Sequence, residues 1–96
     1  MRGSARLTRK IFAISDRLAQ LTDEERIVAE ELAVHRHLHD DAARDALVSE
    51  NVEDRAEARD TAALVDRFER ELETLRQQRL SLEKKRADLL EKLGHL

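Results

Sequence analysis

Three histidines, His35, His37 and His39, stand at alternate positions of one short segment. His35 and His39 are four residues apart, so on a helix they share one face, and this spacing can hold a zinc ion. A zinc site needs further ligands, and the segment expected to face them offers Thr61 and Val65 instead. The other interpretation is that both histidines fill a narrow helix–helix contact, where a charged imidazole is costly to bury and packing responds to pH. We predict no cofactor or bound metal, and keep His35 and His39 as the candidate residues for metal binding or pH sensing.

The sequence carries no arrangement typical of an enzyme. Cysteine is absent, and no nucleophile–base pair or glycine-rich phosphate loop can be recognised. Aspartate and glutamate are abundant, but acidic residues on long helices usually form the solvated face. Two packed helices also lack a concave interior for a small-molecule substrate. We therefore predict a non-enzymatic protein without a small-molecule substrate.

The composition indicates which elements position these residues. Charged residues make up 41% of the chain and aromatic residues 2%, proline is absent, and the only glycines are Gly3 and Gly94. Alanine, leucine, glutamate and arginine favour helices, and a hydrophobic content of 41% argues against disorder. We predict one all-α domain spanning 1–96. No apolar run approaches a membrane span and no signal-peptide stretch follows the basic N-terminus, so we expect a cytoplasmic protein without membrane contact.

Apolar residues recur at alternating spacings of three and four along both halves of the chain. The first series of positions is Leu7, Ile11, Ile14, Leu18, Leu21, Glu25, Val28, Leu32, His35, His39, Ala42 and Ala46. The second series is Asp54, Ala58, Thr61, Val65, Phe68, Leu72, Leu75, Arg79, Leu82, Arg86, Leu89 and Leu93. Seventeen of these 24 positions are apolar, against 41% for the whole chain. A repeat of 3.5 residues is typical of helices that wind around each other, and we call these positions the seam.

The two series fit each other when the chain is folded at residue 50. Residues whose numbers add to 100 then meet, as Leu7 meets Leu93 and Leu18 meets Leu82. Equal arms with a central bend favour a long antiparallel two-helix coiled-coil hairpin over a single rod. We predict a first arm at about 5–47, a bend at about 48–52 and a second arm at about 53–93.

Three polar residues have predicted partners within this hairpin. Glu25 and Arg79 interrupt the apolar seam one layer apart, so we expect them to form an ion pair. Asn51 is placed to cap the N-terminus of the second helix, where an acidic first turn adds a favourable charge.

Thr22 offers a different division of the first arm. Thr22 followed by Glu25 reads as a capping box, which predicts three helices near 5–20, 23–48 and 52–93. The heptad phase crosses residue 22 without a slip, and this favours a continuous first helix.

Charge is segregated along the chain. Residues 1–21 carry a net charge of +4, residues 76–96 carry +3, and residues 22–75 carry −10. In a hairpin the two basic segments lie side by side and the bend is acidic, so each end suits a protein surface of opposite charge. The overall charge of −3 and the lack of aromatic residues argue against nucleic acid as a direct ligand. The candidate partner-binding residues at the bend are Asp45, Glu50, Asn51, Glu53 and Asp54.

Several large apolar residues lie off the seam. Single exposed leucines need no explanation, but some of these residues come to similar heights in the hairpin and could form a second stripe. The candidate partner-binding residues of this off-seam apolar face are Phe12, Val34, Leu38, Leu64, Leu80 and Leu90. We predict an interaction or adaptor protein whose partner is another protein or a second copy, with a homodimer as the expected form.

The bend also carries a recognisable motif, the stretch Ser-Glu-Asn-Val-Glu at 49–53. An acidic-tipped helical hairpin with this motif, followed by Ala56 and Ala58, resembles the N-terminal coiled coil of bacterial Gre transcript-cleavage factors. The resemblance implies insertion into the secondary channel of RNA polymerase, where the family's tip carboxylates help to hold a catalytic magnesium ion. Glu50 matches the family pattern, but Leu47 stands where the family has an aspartate. The resemblance therefore implies a polymerase-binding regulator without cleavage activity.

Overall fold

Two long helices account for almost all of the chain in the computed structural model, which describes residues 2–96. Helix α1 runs over Arg2–Val48 and helix α2 over Val52–Gly94, and Ser49, Glu50 and Asn51 connect them. The part of the chain that the structure describes contains no strand. The predicted fold class, an all-α antiparallel two-helix coiled-coil hairpin, is confirmed. Within residues 2–96, neither helix is long and apolar enough to cross a lipid bilayer.

Helix α1 passes through Thr22 without a break. The Thr22 hydroxyl donates a hydrogen bond of 3.0 Å to the carbonyl oxygen of Leu18, four residues earlier in the same helix. A serine or threonine inside a helix makes this bond, whereas a capping side chain accepts from backbone N–H groups ahead of it. The alternative of three helices is therefore wrong, and the first arm is one helix.

The chain divides into two compact units, each built from a piece of both helices. The terminal unit combines the chain up to Glu25 with Thr74–Leu96, and the turn unit is Arg26–Glu73. In each unit an α1 segment packs antiparallel against an α2 segment along the seam. The terminal unit carries eleven basic and seven acidic residues, and the turn unit seven basic and fourteen acidic residues.

The seam is where the protein is protected from water. Every one of the 24 seam positions is buried or half-buried. Among the side chains that the structure describes, all nine buried residues belong to the seam. They are Ile14, Leu18, Leu21, Val28, Leu32, Ala42, Thr61, Leu72 and Leu89. The hydrophobic period of the sequence therefore marks the packed surface of both helices.

Side-chain contacts agree with the predicted pairing of the two arms. In the terminal unit, Ile14, Leu18 and Leu89 form the core, with Leu7, Ile11 and Leu82 packed against it. In the turn unit, the His39 ring lies 2.9 Å from the Thr61 hydroxyl, and these numbers also add to 100.

The turn is held by polar side chains. The Ser49 N–H donates to the Asp45 carbonyl at 3.0 Å, and the Asn51 N–H donates to the Ser49 hydroxyl oxygen at 3.0 Å. The Asn51 amide oxygen accepts from the Glu53 N–H at 2.9 Å, so Asn51 caps helix α2 as predicted. Among the described residues no backbone adopts a positive φ angle, and this turn therefore needs no glycine.

Leu21 is the most deeply buried side chain of the terminal unit, with none of its surface exposed. We expect Leu21→Ala to lower the free energy of unfolding by about 3 kcal/mol, because it removes buried methyl groups and leaves a cavity. Urea unfolding followed by circular dichroism measures this loss. Leu47→Ala is the matched control, since Leu47 is 85% exposed and its truncation should leave the unfolding curve nearly unchanged. Equal losses in both variants would contradict this account of the core.

Candidate functional site

The seam histidines of the turn unit already have partners. The His35 ring stacks on the Phe68 ring with their centroids 4.7 Å apart and an interplanar angle of 14°. His39 Nδ1 lies 2.9 Å from Thr61 Oγ1, and both histidines are half-buried. His37, by contrast, lies on the exposed surface, with Nε2 3.8 Å from an Asp41 carboxylate oxygen. The two candidate residues therefore fill the helix–helix contact.

The hydrogen bonds of Thr61 define the role of His39. Thr61 Oγ1 has only one proton and directs it to the backbone carbonyls of Glu57 and Ala58, at 3.0 and 3.1 Å. Because these carbonyls can only accept, the arrangement favours the tautomer in which His39 Nδ1 donates to Thr61 Oγ1. Among residues 2–96, no three histidine, cysteine or acidic residues come together as a metal would require.

Glu25 and Arg79, two polar seam residues of the terminal unit, form an ion pair, and Glu83 also contacts Arg79. Arg79 Nε donates to a Glu25 carboxylate oxygen at 2.7 Å, and Arg79 Nη1 donates to a Glu83 carboxylate oxygen at 3.1 Å. The predicted pairing of Glu25 with Arg79 is confirmed. The hydrogen bonds that Arg79 donates to Glu25, and then to Glu83, raise the pKa of Arg79 above its ordinary value. A raised pKa preserves this contribution to stability at every pH below the pKa of the unfolded chain, so it does not respond to pH near neutrality.

The acidic residues predicted as the tip are brought together around the turn. Glu50, Asn51 and Glu53 are exposed, as is Asp45 at the end of helix α1. Asp54 is half-buried in a seam position, which leaves it less accessible than the others.

Sequence reasoning missed an apolar group at the same turn. Leu47, Val48 and Val52 are exposed to 85%, 87% and 72%, the highest values among the large apolar side chains. The signal was present as three aliphatic residues within the bend. The tip is thus a set of exposed aliphatic side chains surrounded by carboxylates.

The magnesium site implied by the resemblance does not fit this tip. Leu47, which stands in the place of the family's aspartate, presents an exposed aliphatic side chain, and aliphatic groups cannot ligate magnesium. Glu50 and Glu53 remain as carboxylates, and no third potential ligand joins them within the described residues.

The off-seam apolar residues fall into two sets on different sides of the helix pair. With seam positions labelled a and d, Arg36 and Glu69 both occupy position e, and their side chains meet at 3.1 Å. Residues at b and e therefore share one side of the pair, the b/e flank, and residues at c and g share the other, the c/g flank.

Each set belongs to one unit and one flank. Val34, Leu38 and Leu64 lie on the c/g flank of the turn unit, and we call them the ridge. The terminal unit holds the other set on its b/e flank, namely Phe12, Leu80 and Leu90. The six residues are all exposed, and each unit presents three of them on a single flank.

Comparison with known proteins adds no relative. No family model, curated protein or solved structure matches this chain.

Substitution of the Glu25–Arg79 ion pair tests its contribution to thermal stability. We expect Glu25→Leu with Arg79→Leu to raise the melting temperature, because well-packed leucines avoid the cost of removing two charges from water. We expect Arg79→Ala alone to lower it, because the Glu25 carboxylate then loses its hydrogen-bond partner. Thermal melts followed by circular dichroism distinguish the variants, and a double variant that melts below the wild type would show a net stabilising pair.

Proposed function

We propose that this chain is a non-enzymatic helical interaction module that associates with a second copy through the ridge. One observation carries the proposal. Val34, Leu38 and Leu64 are 58%, 49% and 37% exposed on one flank, although the seam already holds the helices together. Grouped apolar surface of this kind marks protein interaction sites more often than isolated leucines do. The proposal places the module in the cytoplasm, as expected from the sequence.

The small apolar area of the ridge limits the affinity that it can provide by itself. Burying the exposed parts of three aliphatic side chains is worth on the order of 3 kcal/mol. A micromolar dissociation constant requires about 8 kcal/mol. The ridge therefore supports association only with a surface that adds contacts of its own, and opposite charge around the ridge is the most direct source.

Sedimentation velocity over a range of protein concentrations tests this proposal. We expect a mass above that of the monomer, which Leu38→Glu with Leu64→Glu reduces to the monomer by placing charges in the apolar contact. Leu80→Glu with Leu90→Glu is the matched control, because it adds the same charge to similarly exposed leucines on the b/e flank. A monomeric wild type, or equal effects of the two double variants, would contradict the proposal.

A second candidate function is binding of RNA polymerase through the tip. The observation in its favour is the group of three exposed aliphatic side chains, Leu47, Val48 and Val52, next to the exposed carboxylates of Glu50 and Glu53. An apolar centre with a charged rim is the usual anatomy of a protein-binding surface. This proposal involves no metal and no transcript cleavage.

Retention of purified RNA polymerase on the immobilised chain tests the second candidate. We expect retention at low salt, and its loss with Glu50→Lys and Glu53→Lys because the tip then carries the wrong charge. Asp23→Lys with Asp88→Lys is the control, since both residues are exposed in the terminal unit and the net charge changes equally. No retention of the wild type, or equal loss in both variants, would end this candidate.

A further inference from the structure

The charge segregation of the chain resides almost entirely on the c/g flank. In the turn unit, positions c and g carry seven acidic residues and one basic residue. In the terminal unit, the same positions carry five basic and two acidic residues. Positions b and e are balanced, with four of each sign in the turn unit and one of each in the terminal unit. Charge that only kept the helices soluble would have no reason to prefer one flank.

The terminal unit has a depression on its c/g flank. This open depression has a volume of about 560 Å³. Its lining residues are Arg17, Leu21, Gln77, Gln78, Ser81 and Leu82. Both leucines belong to the seam, but Leu21 has none of its surface exposed, so the half-buried Leu82 supplies the accessible apolar carbon. The depression therefore offers the apolar side chain of Leu82 together with polar groups.

Basic side chains lie on the same flank as this depression. Arg17 lines it directly, and Lys10 and Lys85 occupy position g one heptad away on α1 and α2. Both lysines are exposed, and Arg17 is half-exposed although it also contacts Glu24 at 3.3 Å. The surface suits an apolar group that is accompanied by carboxylates.

The ridge of the turn unit has this chemistry. Its three aliphatic side chains lie on the c/g flank, and Glu31, Asp60 and Glu71 are exposed on the same flank. Turn-to-turn contact between two copies would bring two strongly acidic flanks together, which is unfavourable. The terminal unit of a second copy supplies the opposite charge.

We infer that the ridge of one copy docks into the depression on the terminal unit of a second copy, with acidic and basic c/g flanks facing each other. The inference rests on the proposed self-association and adds which surface receives the ridge. Val34, Leu38 and Leu64 pack against Leu82 and the polar lining of the partner copy's depression. The carboxylates around the ridge meet Arg17, Lys10 and Lys85 of that copy, which adds the charge complementarity that the ridge alone lacks.

Thiol cross-linking between two singly substituted chains tests the contact, because the natural chain has no cysteine. Val34→Cys and Ser81→Cys change size little, and mixing the two chains with a short bismaleimide should yield the 34-to-81 product. Ala33→Cys replaces Val34→Cys in the control, since Ala33 is exposed on the b/e flank. We expect the 34-to-81 product to exceed the 33-to-81 product about tenfold.

The outcomes separate this inference from the proposal on which it rests. A wild-type chain that stays monomeric removes both. A wild type that associates, loses association with Leu38→Glu and Leu64→Glu, and cross-links from 34 to 34 in preference to 34 to 81 overturns the inference alone. Equal yields from the Val34 and Ala33 chains would also overturn it.

Charge reversal provides an independent test of the same contact. Lys10→Glu with Lys85→Glu should raise the dissociation constant about tenfold, as should Glu31→Lys with Glu71→Lys, and mixing these two variants should restore association. Arg9→Glu with Lys84→Glu is the control, because both residues are exposed at position f. Control and test variants that weaken association equally, or a mixture that does not recover, would overturn the inference.

Discussion

The packing of a 3.5-residue seam is the interaction on which the rest of the protein depends. A pair of helices can fully bury only positions a and d of each heptad, so the other five positions keep contact with water whatever residues they carry. All 24 seam positions are buried or half-buried here, and every buried residue among the described side chains belongs to them. Stability therefore comes from a thin core, because isolated helices of this polarity gain little from propensity alone. This constraint makes apolar residues outside the seam informative, since the fold does not need them.

The polar residues inside the seam are satisfied in ways that favour one register. Glu25 meets Arg79, Arg86 donates to the Ser15 hydroxyl at 3.2 Å, and His39 Nδ1 lies within hydrogen-bond distance of Thr61 Oγ1. No buried side-chain nitrogen or oxygen within the described residues lacks a hydrogen-bond partner. A shift of the two helices by one heptad would still match leucine with leucine in many layers, but it would separate these polar pairs. Polar seam residues of this kind specify alignment more than they add stability.

Much of the fold follows from the 3.5-residue repeat of apolar positions. This repeat marks the packed side of each helix, and the position of the bend then decides which residues of the two helices face each other. The seam, the Asn51 cap and the Glu25–Arg79 pair could all be predicted from spacing. His35 was expected opposite Val65 but stacks on Phe68. The imidazole ring is long enough to contact the neighbouring layer, and stacking on an aromatic ring is favourable. The exposure of Leu47 and Val48 was missed although both aliphatic residues stand near the bend, because no glycine marked where helix α1 would end.

The off-seam apolar residues show that a candidate surface depends on the flank that each residue occupies as well as on its position along the helix. Height along the hairpin brought six residues into one predicted face, but heptad position places three on each flank in different units. Only the c/g flank of the turn unit combines grouped apolar residues with an excess of one charge sign. Such a flank can discriminate between partners by their charge. The tip is also acidic, so neutralising the turn unit through its flank would weaken long-range attraction between the tip and a basic protein surface. The proposed self-association and the proposed tip binding would thus draw on the same negative charge, and occupation of one surface would lower the rate at which the other finds a basic partner.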